Sequence, residues 1–354
     1  RRAFDFMTRR DGMTITGLVG DHECWDDTQE GLMNHGETCA TAYLCRFLNK
    51  LLQREGLSFY GDLMERALYN GLFAAQSPDG RKIRYYTPFD GPRGYHDLDT
   101  YCCPNNYRRI VSELPGMIYY QPSEGLAINL YTSSSAEIEL SGGNALSLRQ
   151  DTEYPRSGRV AIHVNPSRPA RFPLWVRIPR WCTSPSVEVN HQPVREDSSF
   201  ALSSPDEAIE SGDFLRIDRV WRAEDQVLLS LPMPLRLVRG RKAQSGRVAI
   251  MRGPQVFCLN RRRHPKLAGM DLRLLVIDPE SLEGPLEDES VRPGGQMCRV
   301  RAWSPGKFYP HEETDVCLEL TEFADRGGEA IYFKVPNPDV ATLVADELLQ
   351  AISL

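Results

Sequence analysis

At 354 residues the chain is long enough for two or three domains. Its 42 basic and 48 acidic side chains give a formal net charge of −6, and its one basic run, Arg261–Arg263, is short, so we expect no nucleic-acid partner. No segment reaches the ~18 to 20 uncharged apolar residues that a membrane span needs, so we expect no membrane association.

Two stretches near the start have helical periodicity. Apolar residues recur at steps of three and four between residues 38 and 53 and again between residues 58 and 72, as is typical of amphipathic helices. Thr38 can cap the first helix. Glu37 and Cys39 then lie at its amino end, where the helix dipole favours a carboxylate and a thiolate. The next predicted elements are a short strand, a loop and a short helix, at 83–87, 88–100 and 105–111.

From about residue 116 the apolar pattern changes from helical to alternating. Short alternating runs recur at roughly 8 to 12 residue spacing between Gly, Pro and Ser turns, which indicates an antiparallel β-sandwich. The predicted strands are 117–120, 126–131, 136–140, 145–148, 160–164, 172–178, 187–189, 214–217 and 226–231.

Beyond residue 235 the sequence predicts a second β-rich region. Its predicted strands are 247–251, 255–259, 316–320 and 330–335, and residues 260–296 are too polar and irregular for a prediction. The apolar spacing between Val340 and Ile352 predicts a terminal helix. The predicted domains are therefore a helical part at 1–115, a β-sandwich at 116–235 and a second β-rich region with a C-terminal helix at 236–354.

Three thiols and one carboxylate stand out for their chemistry. Cys102 and Cys103 are adjacent, and Glu37 and Cys39 lie two residues apart upstream. These four groups have the number and softness of the ligands in a closed tetrahedral zinc site, although Glu-x-Cys followed at a distance by Cys-Cys is not a common zinc-finger spacing. From the spacing, two alternatives stay open: buried thiols without a metal, and a strained vicinal disulfide between Cys102 and Cys103.

The other six cysteines are expected to pack as small hydrophobes; they are Cys24, Cys45, Cys182, Cys258, Cys298 and Cys317. An odd number of thinly spread cysteines is unlike a secreted disulfide framework, so we expect reduced thiols, which favour the cytoplasm. The chain begins at Arg1 without methionine or a signal segment, as though sequence were missing before it, so the localisation stays unknown. A homodimer is left open.

Several motifs occur in a fixed order along the chain. They are Gly36-Glu37-Thr38-Cys39-Ala40, Glu65-Arg66-Ala67-Leu68-Tyr69-Asn70-Gly71, Ser77-Pro78-Asp79-Gly80, Cys102-Cys103-Pro104-Asn105, Val176-Arg177-Ile178-Pro179-Arg180-Trp181-Cys182, Leu231-Pro232-Met233-Pro234 and Val248-Ala249-Ile250-Met251-Arg252-Gly253-Pro254. With these motifs the chain resembles glycoside hydrolase family 127, the β-L-arabinofuranosidase family. The resemblance covers about residues 12 to 260 and fades beyond them.

The resemblance implies a multidomain α and β protein. The C-terminal part of an (α/α)6 barrel, the six-hairpin glycosidase fold, would be followed by antiparallel β-sandwich domains. The residues before 115 can encode only the last helices of such a barrel. About half of the catalytic domain, with the histidines that bind the sugar, is therefore expected to precede this chain. Without that half, we expect the chain to aggregate or to be inactive.

The resemblance also implies a zinc ion held by Glu37, Cys39, Cys102 and Cys103. Cys102 would double as the nucleophile of a retaining mechanism, because zinc coordination keeps its sulfur as a thiolate. Retention needs this nucleophile on one face of the anomeric carbon and an acid/base on the leaving-group side.

The implied acid/base is Glu23, within Gly20–Trp25, and Asp21 is a neighbouring candidate. Glu23 would protonate the departing oxygen and then activate water. Glu65 and Tyr85 fall at positions that contact the sugar in this family. The competing interpretations are an exposed loop acid for Glu23, a solvated helix surface for Glu65 and core packing for Tyr85. Three histidines flank the motifs and are candidates for supporting or sugar-binding roles: His22, His35 and His96.

The expected function is therefore a retaining β-L-arabinofuranosidase with a plant-type oligosaccharide or glycan as its substrate. One alternative is a glycosidase for another plant cell-wall sugar, including the branched acidic sugars of pectin. Two others are a non-catalytic carbohydrate-binding or scaffolding module and a protein in which zinc is only structural.

Overall fold

The computed structural model of the chain describes residues 2–98, 100–140, 143–194, 209–307 and 309–349. Its α-helices are α1 (Arg2–Arg9), α2 (Thr38–Glu55), α3 (Ser58–Arg66), α4 (Phe73–Ala75) and α5 (Cys102–Glu113), and a π-helical turn at Ala67–Leu72 joins α3 to α4. Among the residues described, no helix is both long enough and apolar enough to cross a bilayer.

The structure contains twenty described strands. They are β1 (Tyr119–Tyr120), β2 (Leu126–Ile128), β3 (Ser134–Leu140), β4 (Asn144–Thr152), β5 (Arg159–Pro166), β6 (Ala170–Ile178), β7 (Ser186–Val189), β8 (Gln192–Pro193), β9 (Asp213–Trp221), β10 (Asp225–Ser230), β11 (Leu235–Arg239), β12 (Arg247–Arg252), β13 (Gln255–Asn260), β14 (Val276–Ile277), β15 (Glu283–Glu287), β16 (Gln296–Trp303), β17 (Val316–Glu322), β18 (Gly328–Ala330), β19 (Tyr332–Lys334) and β20 (Leu343–Val344).

The chain forms two compact units that alternate along the sequence. Unit 1 consists of Arg1–Phe47, Leu63–Val111 and Pro234–Leu354, and unit 2 of Leu48–Asp62 and Ser112–Met233. Most of the first predicted domain and nearly all of the third therefore fall in the same unit.

Six strands of unit 1 close into a barrel. β12 pairs with β13 and β19, β13 with β17, β17 with β16, β16 with β14, and β14 with β19. Only the pair of β14 and β19 is parallel. β11, β15, β18 and β20 extend the sheet beyond the ring. The second β-rich region predicted from the sequence is thus built around a closed barrel, which leaves no open sheet edge within the ring.

Alternate residues of the barrel strands enter two different cores, because successive side chains of a strand point to opposite faces. Val248 and Ile250 belong to a cluster that draws on all six ring strands, as a filled barrel interior requires. Ala249 and Met251 belong to a second cluster on the other face. That cluster also contains side chains from early in the chain: Ile15, Leu18, Ala74 and Phe89. The barrel therefore supports the segments that carry the candidate site.

Unit 2 contains two sheets, with strand orders β1-β2-β6-β9 and β3-β4-β5-β10-β7-β8. The second sheet is antiparallel throughout, whereas β2 and β6 of the first run parallel. The sheets meet where Gln150 of β4 donates to the hydroxyl of Tyr119 of β1, at 3.1 Å. Alternating burial along β4 and β5 gives one covered face, which agrees with the two-layer β structure predicted for this region.

The predicted helix from Val340 to Ile352 is wrong over its described part. Leu343 and Val344 form β20, which pairs in parallel with β11, and residues 350–352 lie outside the described part of the chain. The following carboxylates are held at the barrel: Asp346 and Glu347 both bind Arg66, at 2.6 and 2.5 Å. Strand pairing and these ion pairs outweigh the helical spacing of the apolar residues.

Strand β16 was missed. Its core residues alternate with arginines, as Cys298-Arg299-Val300-Arg301-Ala302, and the burial follows that alternation. This is the period-two signal of a half-buried strand and could have been found just after the irregular stretch.

The predicted (α/α)6 barrel stays a prediction. Among the described residues of the first 115, three helical stretches are longer than nine residues: α2, α5 and the continuous stretch of α3, the π-helical turn and α4. Long segments of this part, such as residues 10–37 and 76–98, are instead loops with isolated bridges.

Unit 2 has one buried ion pair whose loss should be costly. Asp62 and Arg177 bind each other and are 2% and 0% exposed. We expect Asp62→Ala to lower the free energy of unfolding by ~3 to 5 kcal/mol, because the buried Arg177 cation would lose the opposite charge of Asp62. Urea denaturation measures the loss. Asp151→Ala, at a half-exposed pair with Arg149, is the control and should cost less than about 1 kcal/mol. Equal denaturation midpoints for the two variants would contradict this prediction.

Candidate active site and metal centre

The four predicted metal ligands converge at the amino ends of two helices of unit 1. Glu37 directly precedes α2, Cys39 lies in the first turn of that helix, and Cys102 and Cys103 are the first two residues of α5. Their four ligand atoms all lie within 4.8 Å of one another. The sulfurs of Cys39 and Cys103 are 3.3 Å apart. The fold therefore brings together groups that are more than sixty residues apart in the sequence, and these four residues could hold a metal ion.

The backbone before Glu37 requires glycine. Gly36 has a φ of +69°, and a Cβ there would lie 2.6 Å from a methyl carbon of Leu18. Thr38 was predicted to cap α2, but its hydroxyl donates to the carbonyl of Arg84 at 2.7 Å, and its amide donates to the carbonyl of Tyr85 at 2.9 Å. The start of α2 is thus tied to the segment that carries Tyr85.

The crowding of the cluster shifts the pKa values of its ligand groups. The hydrogen bond shared with Cys103 lowers the pKa of Cys39 to about 7, and the same contact, reinforced by burial, raises the pKa of Cys103. Burial raises the pKa of Glu37. Three sulfurs and a carboxylate oxygen at such short range repel one another once ionised, and a divalent cation would remove that repulsion. The donor set therefore fits a soft tetrahedral metal such as zinc.

The structure distinguishes between the alternatives for the cysteines. All nine cysteines are free, so no vicinal disulfide joins Cys102 to Cys103, and Cys102 is exposed and not a core thiol. Four others are buried as predicted, namely Cys45, Cys182, Cys258 and Cys298. The prediction was wrong for Cys24 and Cys317, which are exposed.

Tyr85 links the two predicted catalytic residues. Its hydroxyl donates to Glu23 Oε1 at 2.7 Å and lies 3.7 Å from Cys102 Sγ. The hydrogen bond to the Glu23 carboxylate is the main cause that raises the pKa of Tyr85, so this phenol stays protonated and acts as a donor. The predicted strand at 83–87 is not formed, since Ile83 and Tyr86 make only isolated bridges.

Glu23 lies at the tip of a tight turn. The amide and carbonyl groups of Asp21 and Cys24 bond each other at 2.8 and 2.9 Å, and His22 and Glu23 between them have φ values of +47° and +63°. A turn with two such residues normally contains glycine or asparagine. Backbone strain at a non-glycine residue is common at functional sites, where it holds a side chain in one orientation. The geometry favours Glu23 over Asp21 as the residue that faces Cys102.

The remaining predicted site residues lie in different surroundings. Glu65 is 1% exposed, so the solvated-surface interpretation was wrong, and it is not among the side chains that line the cavity at the cluster. Its role as a sugar contact stays a prediction. His35 is buried, which lowers its pKa to about 4 and leaves it neutral. His22 bonds Asn34, and His96 packs on Tyr101 with ring centroids 4.5 Å apart.

A cavity of about 520 Å³ opens at the cluster, and three of its lining residues were not predicted as site residues from the sequence. They are Trp25, Tyr43 and Asn106. Asn106 donates to Cys39 Sγ at 3.3 Å, while its Oδ1 is buried without a partner. Asn106 could have been found from its position on α5, three residues after Cys103 and hence on the same side of the helix.

Two family models match the chain. The GH127 catalytic domain of β-L-arabinofuranosidase matches residues 2–116, and the GH127 middle domain matches residues 125–233. A curated relative, the non-reducing end β-L-arabinofuranosidase of Bifidobacterium longum subsp. longum, is 28% identical over 297 residues, which cover 74% of this chain and 41% of that protein.

The chain is also similar to solved structures. A GH127 β-L-arabinofuranosidase from Geobacillus stearothermophilus T6 superimposes with a TM-score of 0.78 at 27% identity, over 92% of this chain and 55% of that one. A GH127 β-arabinofuranosidase structure, at 24% identity and a TM-score of 0.79, covers 97% of this chain and 56% of that one and shares its fold. The chain therefore spans about half the length of the proteins it matches.

Proposed function

Since the chain belongs to glycoside hydrolase family 127, we propose that it hydrolyses β-L-arabinofuranosides of plant-type oligosaccharides or glycans with retention of configuration. Cys102 is the nucleophile and Glu23 the acid/base in this proposal. The observation that carries it is the single hydroxyl of Tyr85, which reaches both Glu23 and Cys102 beside the four-ligand cluster.

Glu37, Cys39, Cys102 and Cys103 would hold a zinc ion. When bound, zinc would supply the positive charge that keeps the Cys102 sulfur as a thiolate at neutral pH. Asn106 supports this arrangement, because its amide N–H points at the sulfur of Cys39 and so fixes one ligand from outside the cluster.

The proposed reaction has two steps. In the first, the Cys102 sulfur forms a bond to the anomeric carbon as the glycosidic C–O bond breaks, and Glu23 gives its proton to the departing oxygen. In the second, Glu23 takes a proton from water, the water oxygen bonds to the anomeric carbon, and the C–S bond breaks. Two inversions give net retention, and Glu23 ends protonated as it began.

The distances support retention. The separation of Glu23 Oε1 and Cys102 Sγ cannot exceed the sum of the 2.7 and 3.7 Å distances from the Tyr85 hydroxyl. That sum is below the ~6.5 to 9.5 Å between the two carboxyl groups of inverting glycosidases, which must leave room for a water molecule. A short separation of the nucleophile and the acid favours a covalent intermediate over a water molecule between them.

Tyr85 is expected to position both groups. Tyr85→Phe removes the donor to Glu23 and should lower kcat by ~10 to 100-fold, with a smaller change in KM, because the carboxyl group is then free to leave its orientation. Steady-state kinetics and metal analysis measure the effect, and the metal content should not change. Tyr86→Phe is the matched control, because the Tyr86 ring packs against Tyr85 with ring centroids 4.6 Å apart, and this variant should retain nearly full activity. A Tyr85→Phe enzyme with an unchanged kcat would contradict this role.

The function is tested on the full-length protein, because this chain alone is expected to be inactive, and the activity measurements that follow use that protein too. The substrates are 4-nitrophenyl β-L-arabinofuranoside and a panel of other pentosides, hexosides and acidic sugars. We expect release of 4-nitrophenol from the first compound, and an NMR spectrum taken within the first minutes should show β-L-arabinofuranose as the initial product. Turnover of another glycoside alone would favour a different cell-wall sugar as the substrate. Binding of arabinan without turnover of any glycoside would favour a non-catalytic carbohydrate-binding protein.

A further inference from the structure

Two large aromatic rings remain exposed at the mouth of the cavity beside the cluster. Trp25 and Tyr43 are 62% and 56% exposed, and both line that cavity with Glu23 and Cys102. A large aromatic side chain in a protein core buries ~150 to 250 Å² of surface, and an exposed tryptophan lacks that stabilisation. Exposed aromatic surface at a mostly apolar cavity that also contains carboxylates is typical of a ligand-binding groove.

The position of Trp25 identifies the part of a ligand that it would meet. It lies two residues after Glu23 in the same loop. In a retaining mechanism the acid stands on the side of the leaving group, so a side chain next to the acid faces the leaving group and not the sugar that is attacked. The Trp25 ring is also held in place, because Phe6 packs against it in a T-shaped contact with centroids 5.3 Å apart.

The charges of the cavity limit the ligand further. Among the described side chains that line it, Glu23 and Glu37 are carboxylates, and none is an arginine, lysine or histidine. An acidic sugar would meet like charge from these two carboxylates. A neutral sugar ring has an apolar C–H face that can stack on indole and hydroxyl groups that can stay in water.

We propose that Trp25 is the stacking platform of the leaving-group subsite and selects substrates whose leaving group is a neutral sugar ring. This proposal rests on the proposed function, since it takes Glu23 as the acid. Trp25 touches the part of the substrate that departs, and it determines specificity without taking part in bond breaking.

The test compares leaving groups within each variant. Wild type, Trp25→Ala and Trp25→Phe are assayed with methyl β-L-arabinofuranoside, with a disaccharide of β-L-arabinofuranose on a neutral sugar, and with one on a uronic acid. Trp25→Ala should lower kcat/KM about tenfold or more for the neutral disaccharide and less than about twofold for the methyl glycoside, which offers no ring to stack. Trp25→Phe should recover most of the loss. The wild type should disfavour the uronic acid substrate.

A binding measurement keeps the proposal testable apart from catalysis. The free neutral leaving-group sugar should quench tryptophan fluorescence in the wild type and in Trp303→Phe, a tryptophan outside the cavity, but not in Trp25→Phe. If this pattern appears in a protein that hydrolyses no glycoside, the proposed reaction and the leaving-group role of Trp25 fail, and only the binding of a neutral sugar at Trp25 stands. Equal losses on the methyl glycoside and the disaccharide overturn the platform and leave the reaction intact. Quenching that survives in Trp25→Phe also overturns it.

Discussion

Replacing Cys102 by serine in the complete enzyme is expected to lower turnover by more than ~10³-fold, even with a highly activated aryl glycoside. A serine hydroxyl has a far higher pKa than a thiol and is a poorer ligand for a soft metal, so it supplies neither the nucleophile nor the fourth donor. Cys102 is the exposed member of the cluster, which suits a residue that must reach substrate. Cys24→Ser is the matched control, an exposed cysteine lining the same cavity, and should remain active.

Glu23→Gln separates the two catalytic roles. It should slow natural glycosides by ~10² to 10⁴-fold but leave the first step measurable with a phenol leaving group that needs no proton. The defect of Cys102→Ser should not depend on the leaving-group pKa, because that variant lacks the nucleophile itself.

Mass spectrometry identifies the nucleophile directly. Intact Glu23→Gln protein treated with the activated substrate should carry a pentosyl adduct, and peptide mapping should place it on Cys102. An adduct on a carboxylate, or an inverted first product, would refute the cysteine mechanism and favour a structural role for the cluster.

Loss of the metal is the second large effect that we expect. Purified protein should contain about one equivalent of zinc, and Cys39→Ala and Cys103→Ala should each lose it together with activity, because three ligands hold zinc far less tightly than four. Plasma emission spectrometry gives the stoichiometry, and a chromophoric chelator gives the affinity. Release should increase as the pH falls, since protons compete with the metal for the ligands.

Cys45→Ala is the control for the metal experiment. Cys45 lies on the same helix as Cys39, but it is fully buried, and burial raises the pKa of its thiol to about 12, so it offers no thiolate. This variant should keep its zinc even if its stability falls. Stoichiometric metal in both Cys39→Ala and Cys103→Ala would show that the cluster is not the metal site.

The sequence alone was sufficient to predict elements whose apolar pattern lies within one short segment. The periodicity of residues 38–53 predicted α2, and alternation predicted most strands of unit 2, because a helix or a strand shows its buried face in its own spacing. Glu37, Cys39, Cys102 and Cys103 were singled out from residue type, since few side chains bind soft metals. The ordered motifs predicted the family, and the family models confirm the family.

Only the tertiary structure decided what depends on contacts between distant segments. It closed six strands into a barrel, kept Leu343 and Val344 in a strand where their spacing predicted a helix, and buried Glu65. It also brought the Tyr85 hydroxyl to Glu23 and Cys102 and opened a cavity lined by Trp25 and Asn106. The physical reason is that residue type and spacing record which groups can react or be buried, whereas their distances are set by packing between segments far apart in the chain.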